Sequence, residues 1–459
     1  MYRTNNPYQL EFEDFYLPFG GKLRSDNRWI ILSKQIPWQE IEQPYSALFA
    51  DSGTGNPAKS ARVALGALII KERLGVTDRE AVEQIRENPY LQYFLGLPEY
   101  KDEEPFHPSL MSYFRKRFDK DALAKINESI VFHTRDEEKK DDPQDDSSKD
   151  TPTAHRGKLI VDATCTPADI TYPTDLKLLN EAREKTEDII DRMHEPLAGL
   201  KKKPRTYRQK ARKDYLAVAK QKKPGPPKIR KAIRKQLGYL KRNLHTLDIM
   251  ASEGRLKPLS KRLYRLVLVI KELYRQQVWM YENRSHRIAD RIVSIYQPPV
   301  RPIVRSKAQS PVEFGAKLSV SLVDGFSFVD TLSWDAFNES GAFISQIEAY
   351  RQRLGFYPES VHADNIYRTR ENRGYCNDKG IRLSGSPLGR PRQVTESNKR
   401  QLEQAKQMQR QDELDRIPIQ GKFGQGKRRF SQIRRCKPLE GVGSKQALIL
   451  LEIGFVFSN

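Results

Sequence analysis

Apolar positions along the chain follow three patterns. Over residues 59–133 they recur every three or four positions, as in Val63, Leu65, Leu68, Ile69 and Leu74, a spacing that predicts helices. Gly75 stands where a C-cap belongs, and Thr77-Asp78-Arg79-Glu80 has capping-box spacing ahead of Val82 and Ile85. Two helices joined at Gly75-Val76 read as a helix-turn-helix. A third begins near Ser109 and carries Arg115, Lys116 and Arg117, which would suit phosphate contacts. Residues 1–58 hold less pattern, with one helix predicted over 38–49.

The second pattern is that of strands. Leu159-Ile160-Val161 is a short apolar run that wants burial on both faces, and it ends on a carboxylate, Asp162. VEFGAKLSVSLV and FSFVDTLSW flank Asp324-Gly325, a two-residue hairpin signal. A helix over 339–354 follows, with Phe343, Ile344, Ile347 and Tyr350 on one face and Gly355 as its cap. SVHADNIY then gives a brief strand ending on a second carboxylate, Asp364. After it come a helix over 367–378, a strand at Ile381-Arg382-Leu383, the loop SGSPLGRPRQ and a polar helical stretch over 396–435.

The third pattern lies between the two strand regions. Ile233, Leu237, Leu240, Leu244 and Leu247 recur at alternating steps of four and three, and Leu259, Leu263, Leu266, Ile270 and Leu273 repeat the rhythm. A helical hairpin with an antiparallel coiled-coil seam is expected here.

Charge changes this picture. The 459 residues carry a formal net charge of +22, which calls for a polyanionic partner. Eighteen Lys or Arg face one acid, Asp214, between residues 201 and 243, so the hairpin's outer surface repels itself unless a polyanion neutralises it. Residues 134–156 are polar and acidic, without periodicity, and read as a disordered linker. Three scattered cysteines, Cys165, Cys376 and Cys436, include no CxxC pair, so a structural zinc is not expected. Neither a signal peptide nor a membrane span is legible, and a cytoplasmic, nucleoid-associated bacterial protein is expected, with no membrane partner.

Two strands that end in Asp can be neighbours in one mixed sheet. Carboxylates at adjacent strand ends can hold hard divalent cations through oxygen, and two such ions can clamp a phosphodiester. Residue types and spacing alone thus reach a metal-dependent phosphoryl transferase acting on DNA.

The segments VDAT (161–164), VEFGAKLSVSLVDGF (312–326), HADNIYRTRENRGYCNDKGIRLSG (362–385), SPLGRP (386–391) and RIPIQGKFGQGKRR (416–429) together resemble bacterial insertion-sequence transposases of the DDE type. Residues 59–118 resemble that family's N-terminal domain. The resemblance implies an α/β fold: a ribonuclease H-like mixed sheet with flanking helices, a long helical insertion and an all-α DNA-binding domain. It divides the chain into a helical DNA-binding domain (1–133), the linker (134–156), the first part of the catalytic domain (157–174), a basic helical insertion (175–305), the rest of the catalytic domain (306–435) and a divergent tail (436–459).

Residue by residue, the resemblance makes Asp162 and Asp364 the first two catalytic acids and metal ligands. It implies Mg2+ or Mn2+, with two ions in a competent site. The family's third acid falls at Gln420, where relatives read IEGKFGQGK and this chain reads IQGKFGQGK. Gln is neutral and offers one carbonyl oxygen, so impaired metal binding is expected. Arg416 and Lys427 fall at the family's Arg and Lys places. Together with Lys422, Arg428, Arg368, Arg370, Arg115, Lys116 and Arg117 they are the expected DNA contacts. The implied activity is cleavage at the element's terminal inverted repeats and strand transfer into target double-stranded DNA, by a homodimer. The alternative is a catalytically inactive remnant that still binds DNA.

Overall fold

The computed structural model describes residues 15–17, 20–49, 57–118, 120–141, 155–168, 170–200, 202–304, 312–386, 389, 395 and 398–429. The greater part of the expected linker (142–154) and the whole tail (436–459) lie outside the described residues. The chain divides into two compact units, residues 1–166, 317–333 and 337–459 in one, residues 167–316 and 334–336 in the other.

The first unit opens with seven helices: α1 (Arg28–Gln35), α2 (Trp38–Ser46), α3 (Ala61–Leu74), α4 (Asp78–Glu87), α5 (Pro89–Phe94), α6 (Leu110–Arg117) and α7 (Lys120–Asp141). The local signals work as their chemistry dictates. Ser60 and Thr77 cap α3 and α4 by accepting the N–H groups of Val63 and Glu80, and Gly75 ends α3 at φ +66°, where a side chain would be strained. Leu65, Leu68, Ile69, Val82, Ile85, Phe94 and Phe114 close one core. α7 continues to Asp141, so the first residues of the expected linker are helical. It also reaches the sheet: the Asn127 amide donates to the Ser327 carbonyl at 3.0 Å, and Glu128 pairs with Arg353 at 2.9 Å.

Arg115 departs from its expected role. It follows Phe114 on the inner side of α6, is 2% exposed, and forms a two-pronged pair with Asp78 at 2.9 and 2.6 Å. Its guanidinium braces α6 against α4 and is not offered to a phosphate. Arg117 also turns inward, 4.4 Å over the Phe49 ring, and Lys116 alone of the three stays exposed.

β1 (Lys158–Pro167) follows, and then most of the second unit: α8 (Asp175–His194), α9 (Arg208–Ala219), α10 (Pro226–Ser252), α11 (Lys261–Glu282) and β2 (Arg301–Val304). The leucine repeats of α10 and α11 do meet in one core. That core also takes Leu178, Leu179, Ala182, Ile189, Ile190 and Met193 of α8, and α10 packs mainly along α8. A three-helix arrangement therefore replaces the expected two-helix seam. The reason is polar: Gln236 and Asn243 sit on the buried face of α10, and they bond Arg183 and Thr186 of α8 at 3.2 and 3.0 Å. A leucine seam alone could not satisfy them. Part of the basic charge is balanced inside this unit, with Arg208 on Asp191 and Lys235 on Asp214, both at 2.7 Å. Lys202, Lys213, Lys220, Lys222, Lys228 and Lys241 remain exposed.

β3 (Val312–Val323) begins in the second unit, where its first residues pair antiparallel with β2. Its continuation in the first unit forms the expected hairpin with β4 (Phe326–Ser333) across Asp324-Gly325. Then come α12 (Phe343–Leu354), β5 (Ser360–His362), α13 (Arg370–Asp378), β6 (Arg382–Leu383), α14 (Lys399–Asp415) and α15 (Ile417–Arg429). The sheet of the first unit runs β4-β3-β1-β5-β6, with β1, β5 and β6 parallel. On β1 and β5 the odd positions Leu159, Val161, Val361 and Ala363 face Phe343, Ile347 and Tyr350 of α12. Each such large aliphatic side chain contributes roughly 1.5–3 kcal/mol through burial. Beneath the opposite face, Ile160, Leu318 and Val320 pack on Ile419 and Phe423 of α15. No described helix is long and apolar enough to cross a membrane.

Removing the buried Arg115 leaves Asp78 half of a broken pair. Arg115→Ala should lower unfolding stability by about 3 kcal/mol, while exposed Lys116→Ala should change it by under about 0.5 kcal/mol. Urea denaturation of the two variants checks the contrast.

Candidate active site

The pairing of β1 with β5 sets the site. Lys158 faces Ser360, Leu159 faces Val361 and Ile160 faces His362, a constant offset of 202 positions. The same offset carries Asp162 to Asp364, so both carboxylates stand at one level just beyond the last paired residues. Side chains alternate along a strand, and both fall on the face that α15 covers.

Asp162 is held partly buried on β1, and its Oδ1 accepts the Ala163 N–H at 2.8 Å. Burial pushes its carboxyl above the usual range. The Ala163 N–H and Arg416 pull it back, while Asp364 and Glu339 push it further up. Asp364 caps the short 3-10 turn Asn365–Tyr367, accepting the Asn365 N–H at 2.8 Å, and keeps 57% of its side chain exposed. Arg416, at the joint between α14 and α15, spans the two: Nη1 lies 3.5 Å from Asp364 Oδ1 and Nη2 3.9 Å from Asp162 Oδ2. One guanidinium is thus within ion-pair reach of both acids.

Gln420 follows Arg416 by four residues, one turn further along, and is exposed on α15 between the buried Ile419 and Phe423. Among the described residues no three His, Cys, Asp or Glu side chains are grouped so that they could hold a metal ion. Asp162 and Asp364 share the Arg416 guanidinium as a counter-charge. Their oxygens suit a hard divalent ion in kind, but Gln420 adds no charge.

The remaining expected contacts divide. Arg370 opens α13 and is exposed. Lys422 is half-buried, and burial draws its ammonium below the usual range. Lys427 and Arg428 lie in the last turn of α15, and their side chains are outside the described set. Arg368 folds back on its own loop, donating to the Ala363 carbonyl at 2.9 Å and to Asn365 Oδ1 at 2.7 Å. It braces Asp364 instead of reaching outward. Gly385, at φ +98°, leaves it the room: a Cβ there would lie 1.8 Å from Arg368 Nη1.

Three groups hold roles that the sequence alone does not assign them. Glu339 pairs with Lys317 at 2.9 Å and adds its charge to the surroundings of Asp162. Asp412 and Asp415 of α14 tie that helix to the sheet, Asp412 through Arg382 at 2.9 and 3.0 Å and Asp415 through Lys158 at 2.7 Å. A single sequence offers no signal for Glu339. For the two α14 acids the nearest signal is a carboxylate pair spaced to share one helix face.

Two family models match the chain. The family model described as Transposase domain (DUF772) matches residues 18–117, which hold α1 to α6. The model described as Transposase DDE domain matches residues 361–444, which include Asp364, Arg416 and Gln420. A Rhizobium meliloti protein described as uncharacterized protein ORF8 in the nfe locus is 29% identical over 154 residues, 33% of this chain and 67% of that relative. No solved structure matches. With a transposase domain and a transposase DDE domain matched in this order, the chain is similar to insertion-sequence transposases of the DDE type.

Proposed function

We propose that the chain cuts DNA at the ends of its own mobile element and joins them to a target, with Asp162 and Asp364 as the catalytic pair. The observation that carries this reading is their convergence on one guanidinium from two parallel strands. A ribonuclease H-like core is supported by the sheet order β4-β3-β1-β5-β6, by its three parallel strands and by helices packed on both faces. The pair would hold Mg2+ or Mn2+, two ions in a fully competent site. Bound there, such an ion supplies positive charge to a phosphodiester transition state.

The chain's own residues do the rest. Arg416 presents a forked donor between the two acids, the shape that matches a phosphate oxygen pair. Arg368 fixes the loop that carries Asp364, so the carboxylate is preorganised instead of recruited. Gln420 brings only a neutral carbonyl oxygen at the family's third acid, so this chain works with a weakened site. The exposed lysines of the second unit supply non-specific affinity for the DNA backbone. Two element ends each need a site, so the working unit on DNA is at least a dimer.

Two outcomes are expected. With purified chain and a duplex containing the DNA that flanks its own coding sequence, Asp162→Ala should abolish Mn2+-dependent cleavage, and Gln420→Glu should raise it by about 10-fold or more. Undiminished cutting by Asp162→Ala would remove Asp162 from the reaction. Separately, affinity for that duplex should fall linearly in log–log form with salt, and Lys220→Ala with Lys222→Ala should flatten the slope by about 1–2. Fluorescence anisotropy between 50 and 200 mM salt (~4-fold in ionic strength) reads it.

A further inference from the structure

We propose that Asp412 and Asp415, in the last turn of α14, are positioning residues: Asp412 fastens that turn to β6, beside the strand of Asp364, and Asp415 fastens it to the strand of Asp162, and so they set Arg416 between the carboxylates. The inference rests on the reading of Asp162 and Asp364 as the catalytic pair.

α14 has little other reason to dock. Its sequence, KRQLEQAKQMQRQDELD, is polar almost throughout, and among its described side chains only Asp412 is buried, at 5% exposure. A buried carboxylate is costly unless it is paired, and here one guanidinium pairs with it. Arg382 of β6 donates to both its oxygens, and His362 Nδ1 lies 3.5 Å from Oδ1. His362 is two residues before Asp364 and on the same strand face. Asp415 repeats the arrangement on β1: Lys158 Nζ reaches its Oδ2 at 2.7 Å, and Lys158 is four residues before Asp162, again on the same face.

One helical turn, 412–415, is therefore tied to β1 and to β6, the parallel neighbour of β5, and Arg416 is the next residue. Its own ion pairs, at 3.5 and 3.9 Å, are longer than any hydrogen bond in that seam. Arg416 is placed by its neighbours more than by its own contacts. Ser360 Oγ also meets His362 Nε2 at 3.0 Å, so Ser360, His362 and Asp412 line up in the order of a hydrolase triad. Ser360 is 4% exposed and His362 fully buried, so no substrate reaches them.

The test uses the full chain, Mn2+ and the flanking-DNA duplex, with kcat and KM read separately and folded fraction followed by thermal melting. Asp412→Asn and Asp415→Asn should each lower kcat by about 10- to 100-fold with KM for DNA nearly unchanged, because a misplacement of about 1 Å is felt in the transition state. Lys158→Glu should do the same, and Lys158→Glu combined with Asp415→Lys should restore most of the lost rate. If Asp412→Asn does not fold, the Lys158–Asp415 exchange still decides. Wild-type kcat in Asp415→Asn and Lys158→Glu, with only the melting temperature lowered, would reduce the seam to a stabilising contact and overturn the proposal. Wild-type cutting by an Asp162→Ala control would instead overturn the catalytic-pair reading beneath it.

Discussion

The parallel register of β1 on β5 is the constraint on which the rest of the site depends. An offset of 202 positions turns two acids that are distant in sequence into neighbours at the same level of the sheet. A slip of one residue would send one carboxylate to the other face, into Phe343, Ile347 and Tyr350. That apolar face constrains the register: a slip of one residue would turn Leu159 and Val161, or Val361 and Ala363, out of the core. The hydrophobic core and the polar site are opposite sides of the same pleat.

How much of this the sequence disclosed follows from where each signal resides. Strand ends were legible because an apolar run meeting Asp is local, as at Val161-Asp162 and Ala363-Asp364. The hairpin at Asp324-Gly325 and the caps at Ser60, Thr77 and Gly75 were legible for the same reason. What could not be read was anything set by a distant partner. Asp412 looks like a solvated residue of a polar helix until Arg382 and His362 stand opposite it. The leucines of α10 read as a two-helix seam because the third helix, α8, is distant in sequence and meets α10 through Arg183 and Thr186 as well as through its apolar residues. Arg115 was misplaced for a different reason. It sits in a basic run, which draws the eye to charge, although Met111, Phe114 and Phe118 already mark its side of the helix as buried.

Arginine is used here in three ways, and charge alone does not tell them apart. Arg115 is sealed against one acid and acts as a brace. Arg368 spends its donors on the carbonyl and amide of its own loop, which is possible only because Gly385 has no side chain. Arg416 differs from these two: it lies between two carboxylates at distances long enough to leave its donors room for another partner. The planar fork serves all three roles, and the number and closeness of the partners decide which one applies.

In the proposed reaction, the charge at the site is then the controlling quantity. Asp162 and Asp364 bring two negative charges, and Arg416 returns one positive charge. A third carboxylate at position 420 would leave a deeper well for a divalent ion; glutamine leaves a shallower one, in which the arginine already holds a share. Coulomb attraction falls with both charge and effective dielectric, and Asp364 is open to solvent while Asp162 is not. The ion would therefore owe most of its binding to Asp162, the acid that burial makes most reluctant to stay charged alone. A cation at that spot stabilises the carboxylate as much as the carboxylate stabilises the cation. For this reason the seam that sets Arg416 and the acid that would hold the metal act as one electrostatic unit, in which moving either partner changes the other.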